Sequence, residues 1–322
     1  MSTVYIGGYT PDTGGAGAGV TVAGRAASGA LTEVGTAAAS GPSFLAAHPA
    51  LPVLYAVGET DPGTITAFTA TEDPERLATR SSGGGSPCHV AVADRWLAVA
   101  NYGDGMVALH ALDDEGLFSG PPLLFPGFGS GPDSDRQRGP HAHQATFEAG
   151  VLHVTDLGAD QIRQWRVHPD VTELEPITLT PGTGPRHLVS APTGWFVTGE
   201  LDGQVHAFDH KWHPIGQFAA SGRDSANYPS HLQLHRDRLY VANRGPNTIS
   251  VFDPETFKML AEVDCGGDWP RHFAIEGDDL YVANQRSGGV VHFRLAGGVP
   301  EPTGHVLPVP TPTCVLLRES SA

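Results

Sequence analysis

One motif recurs along this chain and limits what it can fold into. A proline is followed by a variable residue, often a histidine, then by an apolar stretch, a run resembling Leu-Tyr-Val-Ala-Asn, a glycine-bearing turn and an alternating apolar strand. The clearest copies run from Pro229-Ser-His231 through Leu239-Tyr-Val-Ala-Asn243 to Ile249-Ser-Val-Phe252, and from Pro270-Arg-His272 through Leu280-Tyr-Val-Ala-Asn284 to Val290-Val-His-Phe293. Further copies open at Pro42, Pro87, Pro140 and Pro185. With Pro312 near the C-terminus, successive prolines stand 45, 53, 45, 44, 41 and 42 residues apart.

A period of roughly 40 to 50 residues, carrying about four short strands per copy, is the signature of a β-propeller. No segment sustains a 3.6-residue apolar period, so helices are not expected. The 41 glycines and 27 prolines, more than one residue in five, suit many strands joined by many turns. The seventh copy is split: Pro312-Thr-Cys-Val-Leu-Leu317 supplies an inner strand, and Val4-Tyr-Ile-Gly-Gly-Tyr9 supplies the strand beside it. Pairing the two termini closes the ring and removes an open sheet edge. The expectation is an all-β chain whose residues 1–322 form a single seven-bladed propeller of four-stranded antiparallel blades.

Composition narrows the function. A formal net charge of −16 argues against a nucleic-acid partner, which needs a basic face. The three cysteines, Cys88, Cys265 and Cys314, are odd in number and widely spaced, against a disulfide framework or a cysteine zinc site. Unpaired thiols suit a reducing cytoplasm. The N-terminus reads as a strand, with no charged and apolar leader, and no apolar run reaches the roughly 18 residues of a membrane span. The expected location is therefore cytoplasmic, with no membrane or nucleic-acid partner.

In a propeller the first strand of each blade lines the channel and the second runs antiparallel to it. The proline element and the end of the Leu-Tyr-Val-Ala-Asn run then meet at one mouth. His89, His187, His231 and His272 recur there and read as structural. The positions that vary are more telling: Arg186, Arg271, Arg244, Glu200, Glu59 and the extra pair His141 and His143. Three arginines converging on one opening of an acidic protein suggest a pocket for a carboxylate or phosphate. The longest insertion, Pro121 to Pro140, enters the His141/His143 strand and should overhang the same mouth.

At these residues the sequence resembles the seven-bladed lactonase family, which includes propeller-type 6-phosphogluconolactonases and the fungal 3-carboxy-cis,cis-muconate lactonizing enzyme. The matching elements include Tyr5-Ile-Gly-Gly-Tyr9, Pro42-Ser-Phe44, Ala100-Asn-Tyr-Gly103, His141-Ala-His143, Gly184-Pro-Arg-His187, Gly199-Glu200, Asn243-Arg244 and Pro270-Arg-His272, in order along nearly the whole chain. The resemblance implies a catalytic site of His143, Arg186 and Glu200 at the channel mouth. Arg244 and Arg271 are further anion contacts, and His141, Glu59, Asn101 and Asn243 complete the expected substrate-binding set. Gly58 and Gly199 stand where the family pattern more often has Asn.

Lactone hydrolysis needs a base for water and a cation or donors for the oxyanion. His143 or Glu200 is the candidate base and Arg186 the oxyanion partner. A cycloisomerase would use the same groups to orient a tricarboxylate and move a proton. No Gly-x-Ser-x-Gly elbow is present. His141-Ala-His143 is the only close histidine pair, and no metal or other cofactor is expected. Because fold alone confers no activity, a non-catalytic binding propeller is the reading from outside the enzymes.

Overall fold

The structure, a computed structural model, describes residues 2–318. Seven antiparallel four-stranded sheets stand in a ring. Their innermost strands are Pro312–Arg318, Leu45–Ala47, Pro87–Ala93, Ala142–Glu148, Pro185–Ala191, Tyr228–His235 and Pro270–Glu276, belonging to blades 1 to 7 in that order. Each inner strand touches the next around the ring, and the Pro270 strand returns to the Pro312 strand. In blade 1 the strand Ser2–Gly8 pairs with Pro312–Arg318, so the two termini of the chain close the circle as expected. Among the described residues the only helical element is the short 3₁₀ turn Pro11–Thr13.

The motif explains itself in this geometry. A sheet stacked between two neighbours buries both faces of its middle strands, so these read as continuous apolar runs such as Val53–Gly58 and Leu239–Ala242. The outer strands face solvent and are polar, as in Arg76–Ser81. Apolar clusters fill the gaps between blades. One holds Val4, Ile6 and Ala23 of blade 1 against Tyr281, Ala283 and Val290 of blade 7. The tyrosine of the Leu-Tyr-Val run stitches neighbours together: Tyr55 Oη donates to the Gly116 carbonyl (2.6 Å), and Tyr281 Oη to that of Gly29 (2.7 Å). A proline opens most inner strands because that strand is a sheet edge facing the channel, where a missing N–H removes no ladder bond.

Register corrects the reading of blade 4. Pro87 pairs with Asn101, Pro185 with Gly199 and Pro270 with Asn284, but the partner of Asp156 is Ala142, not Pro140. Ala142 therefore occupies the proline position, His143 matches Cys88, Arg186, Ser230 and Arg271, and Gln144 takes the place of the recurrent histidine. His141 precedes the strand.

Candidate active site

In six of the seven blades the ladder slips just after the proline position, a bulge at the same place each time. Bulges re-aim side chains, and these turn one residue per blade toward the channel. The residues at the slip include Cys88, His143, Arg186, Ser230, Arg271 and Thr313, with Ser43 at the matching place in blade 2. Ser43, Cys88, Arg186, Arg271 and Thr313 line a small axial chamber with Glu59, Phe44 and His187. Its free space, about 10 Å³, suits one water and excludes a sugar.

Beneath the chamber the next residues of five blades, Phe44, His89, His187, His231 and His272, plug the channel. Phe44 stacks on His89 (ring centroids 3.9 Å apart), His231 lies 4.1 Å from His272, and the Nδ1 atoms of His187 and His231 are 2.9 Å apart. Burial drives His89, His187 and His231 well below the usual imidazole range, and His272 to about 3, so the plug is neutral. The recurrent histidines are structural, and His272 Nδ1 accepts from the Val315 N–H of the neighbouring blade (3.3 Å).

Above the chamber the residues that end the second strands form a polar ring. Tyr9 Oη donates to Glu59 Oε1 (2.9 Å), and Arg271 lies over the Tyr9 ring, 5.2 Å from its centroid. Glu200 is the hub. Its Oε2 accepts from Arg244 Nη2 (2.6 Å) and lies 3.0 Å from Arg186 Nε, off the line of a hydrogen bond. Its Oε1 accepts from Arg136 Nη2 (2.7 Å), which also reaches Tyr102 Oη (3.1 Å). Burial pushes the Glu200 carboxyl up, but Arg244 and Arg186 outweigh it and hold the group well below the carboxylate range. Four guanidiniums (Arg136, Arg186, Arg244, Arg271) meet two carboxylates (Glu59, Glu200), a formal excess of two positive charges in a chain whose own net charge is −16.

Residues 3–317 match the family model described as lactonase, 7-bladed beta-propeller. The chain belongs to the seven-bladed lactonase family. Within and around that family, it is 28% identical over 265 residues to a 6-phosphogluconolactonase of Bacillus subtilis, covering 74% of this chain and 76% of the relative. It is 30% identical to a 6-phosphogluconolactonase of Formosa agariphila, over 65% of this chain and 66% of that one. A solved protein from Lactobacillus plantarum superposes with a TM-score of 0.90 at 26% identity, covering 99% of both chains.

The mouth gathers most of the residues expected from sequence. His143, Arg186, Glu200, Arg244, Arg271 and Glu59 converge there, and half-buried His141 stacks on Tyr102 (4.5 Å) with its Nδ1 2.6 Å from the Tyr102 carbonyl oxygen. His143 is buried; its Nδ1 has no partner, and its ring meets Tyr102 and His187 edgewise at 5.7 and 5.4 Å. Burial, and behind it the Arg186 charge, keep the imidazole well below its ordinary range, so it is neutral and unengaged.

Three expectations need correction. Glu200 is not placed to act as a base: three arginines surround its carboxylate and hold it ionised. Asn101 and Asn243 are not substrate contacts. Asn101 is fully buried; its amide donates to the carbonyls of Ser82 (3.3 Å) and Met106 (3.0 Å) and accepts from Ser82 Oγ (2.6 Å). Asn243 is spent on Thr248, Ser250 and Asn227. Both pin their own blade. At Gly199 the Asp202 carboxylate fills the space that a side chain would need. Sequence reading also missed Arg136, Tyr9 and Tyr102. Two tyrosines ending second strands at the mouth, and an Arg-Gln-Arg run in the longest insertion, were the available signals.

Two roomier clefts, of about 580 and 310 Å³, lie at the opposite end of the ring, among the turns that join first to second and third to fourth strands. They are bordered by residues such as Asp94, Asp113, Arg236 and Glu255 and lack a convergent set of buried cations.

Proposed function

We propose that the mouth hydrolyses an anionic sugar lactone, 6-phosphogluconolactone being the substrate that the named relatives suggest. The observation that carries this reading is one neutral, unengaged imidazole, His143, among buried guanidiniums in a vestibule of net positive charge. His143 takes a proton from water as the water oxygen bonds to the lactone carbonyl carbon. The carbonyl oxygen becomes an oxyanion, which Arg186 and Arg271 stabilise from the chamber wall. Arg271 is the more available: Nη1 makes one long contact, 3.4 Å to Gln285, whereas Arg244 is held by Glu200 and by the Tyr228 carbonyl. The bond to the ring oxygen then breaks, and protonated His143 returns its proton to that oxygen, giving the open hydroxy acid.

Cys88 is no rival nucleophile. Burial pushes its thiol far up, and the S–H is directed at the His143 carbonyl (3.2 Å). Three buried free thiols, Cys88, Cys265 and Cys314, support a reducing compartment such as the cytoplasm. The deciding experiment assays wild type and His143→Ala on 6-phosphogluconolactone, gluconolactone and 3-carboxymuconate. Turnover of the phosphorylated lactone that the substitution lowers by about 10² to 10⁴ supports the reading. Turnover of the muconate alone assigns a cycloisomerase, and no turnover of any of them leaves a binding propeller.

A further inference from the structure

Arg136 is the one guanidinium of the vestibule that no blade strand carries. It comes from the segment between the outer strand of blade 3, which ends at Phe125, and the inner strand of blade 4. Two buried side chains fix that segment. Arg163 donates to the carbonyls of Gly105, Phe125 and Pro126 at 2.9, 2.9 and 2.7 Å. Gln137, only 1% exposed, donates to the Leu157 carbonyl (2.9 Å) and accepts from the Asp133 N–H (3.2 Å). Buried polar groups are costly unless so satisfied, so the place of Arg136 is specified rather than incidental.

Its environment differs from that of the other arginines. Arg186 and Arg244 have side chains 3% and 6% exposed, against 37% for Arg136. Among the described residues, only one of its guanidinium nitrogens, Nη2, makes hydrogen bonds. Glu200 would not be stranded if Arg136 left it, because Arg244 and Arg186 remain on the other oxygen. The exchange costs Glu200 the hydrogen bond to Oε1, while its charge stays matched by two buried arginines.

We propose that Arg136 selects the substrate by binding the phosphate on its exocyclic carbon, leaving Glu200 Oε1 as the phosphate arrives. This rests on the reading of the mouth as a hydrolase of anionic sugar lactones. With only the carbonyl oxygen directed at Arg186 and Arg271, in a chamber too small for the ring, the exocyclic phosphate stays at the rim. The rim cation with free donors there is Arg136, whose planar fork suits a dianionic phosphate.

Calorimetric titration of 6-phosphogluconate and of gluconate tests the assignment independently of turnover. Wild type should prefer the phosphorylated acid by at least about tenfold, and Arg136→Gln should erase most of that preference. Arg136→Lys, which restores the charge, should recover part of it. Arg138→Gln, at an exposed neighbour whose only ion pair among the described residues is with Asp135 at 3.7 Å, should change it by less than about twofold. A preference absent in wild type, or undiminished in Arg136→Gln, overturns the proposal. If the preference behaves as expected while wild type turns over no lactone, the hydrolase reading falls and the phosphate site stands.

Discussion

Glu200 Oε2 accepts a 2.6 Å hydrogen bond from Arg244 Nη2, with side chains only 4% and 6% exposed. Arg186 and Arg136 complete the ring of cations around that carboxylate. Removing its charge leaves buried guanidiniums to repel one another, which costs far more than the pair's net worth. Glu200→Gln should therefore lower unfolding stability by about 3 to 5 kcal/mol, read from urea melts at pH 7.5. A loss below about 1 kcal/mol would mean that the cluster relaxes without its anion.

Stability should also fall on mild acidification. His89, His143, His187 and His231 lie well below the ordinary imidazole value, and His272 near 3, chiefly through burial. As pH drops below about 6.5 the unfolded chain takes up protons that the folded chain refuses, so the stabilisation is full above that value and drains below it. Glu200, also depressed when folded, extends the loss to pH values below about 4.3. Each histidine contributes up to about 1.4 kcal/mol per pH unit, so the urea midpoint should be clearly lower at pH 5.5 than at 7.5. A midpoint unchanged over that interval would contradict a neutral, buried plug.

The same depression sets the rate profile. A base acts when unprotonated, and kcat/KM reports the free enzyme. With His143 held well below 6.5, kcat/KM should stay flat from pH 8 to about 6, without the acid limb of an ordinary histidine. Short-time assays at each pH, below the onset of unfolding, make the measurement. An acid limb centred near pH 6.5 would show a solvated base and remove His143 from that role.

The ring was legible because each blade repeats one solution to one packing problem. A buried middle strand needs an apolar run, its tyrosine needs a neighbour's carbonyl, and the inner strand tolerates proline. The split seventh copy could be matched on the same grounds. Register in blade 4 could not be read, since Pro140 looks like its counterparts and only the ladder places Ala142 opposite Asp156. The site was legible where it broke the repeat, as at Arg186, Glu200, Arg244 and Arg271. Arg136 escaped because no periodicity fixes the path of an inserted segment; its position depends on Gln137 and Arg163, whose partners are backbone carbonyls. The asparagines misled in the opposite sense. They stand at the mouth in sequence, but their amides are aimed into their own blades.

That distinction yields a direct comparison between Asn101 and the arginines above it. The Asn101 amide joins the end of a second strand to Ser82, in the connection from blade 2, and to Met106, which precedes the next strand of blade 3. Replacing it with alanine leaves the Ser82 carbonyl unsatisfied in a site with no access to water, at about 1 to 3 kcal/mol, while the Met106 carbonyl keeps the Asn101 N–H and the Ser82 hydroxyl keeps the Gly84 carbonyl. Because none of these bonds reaches the vestibule, Asn101→Ala should lower the melting temperature by several degrees while KM stays within about twofold of wild type. Arg271→Ala, which removes a wall of the chamber, should do the reverse, raising KM or lowering kcat with a smaller thermal shift. Melting curves and steady-state kinetics on the two proteins separate these outcomes. If Asn101→Ala raises KM tenfold with an unchanged melt, the amide does contact substrate, and the division of the mouth into structural and chemical columns fails there.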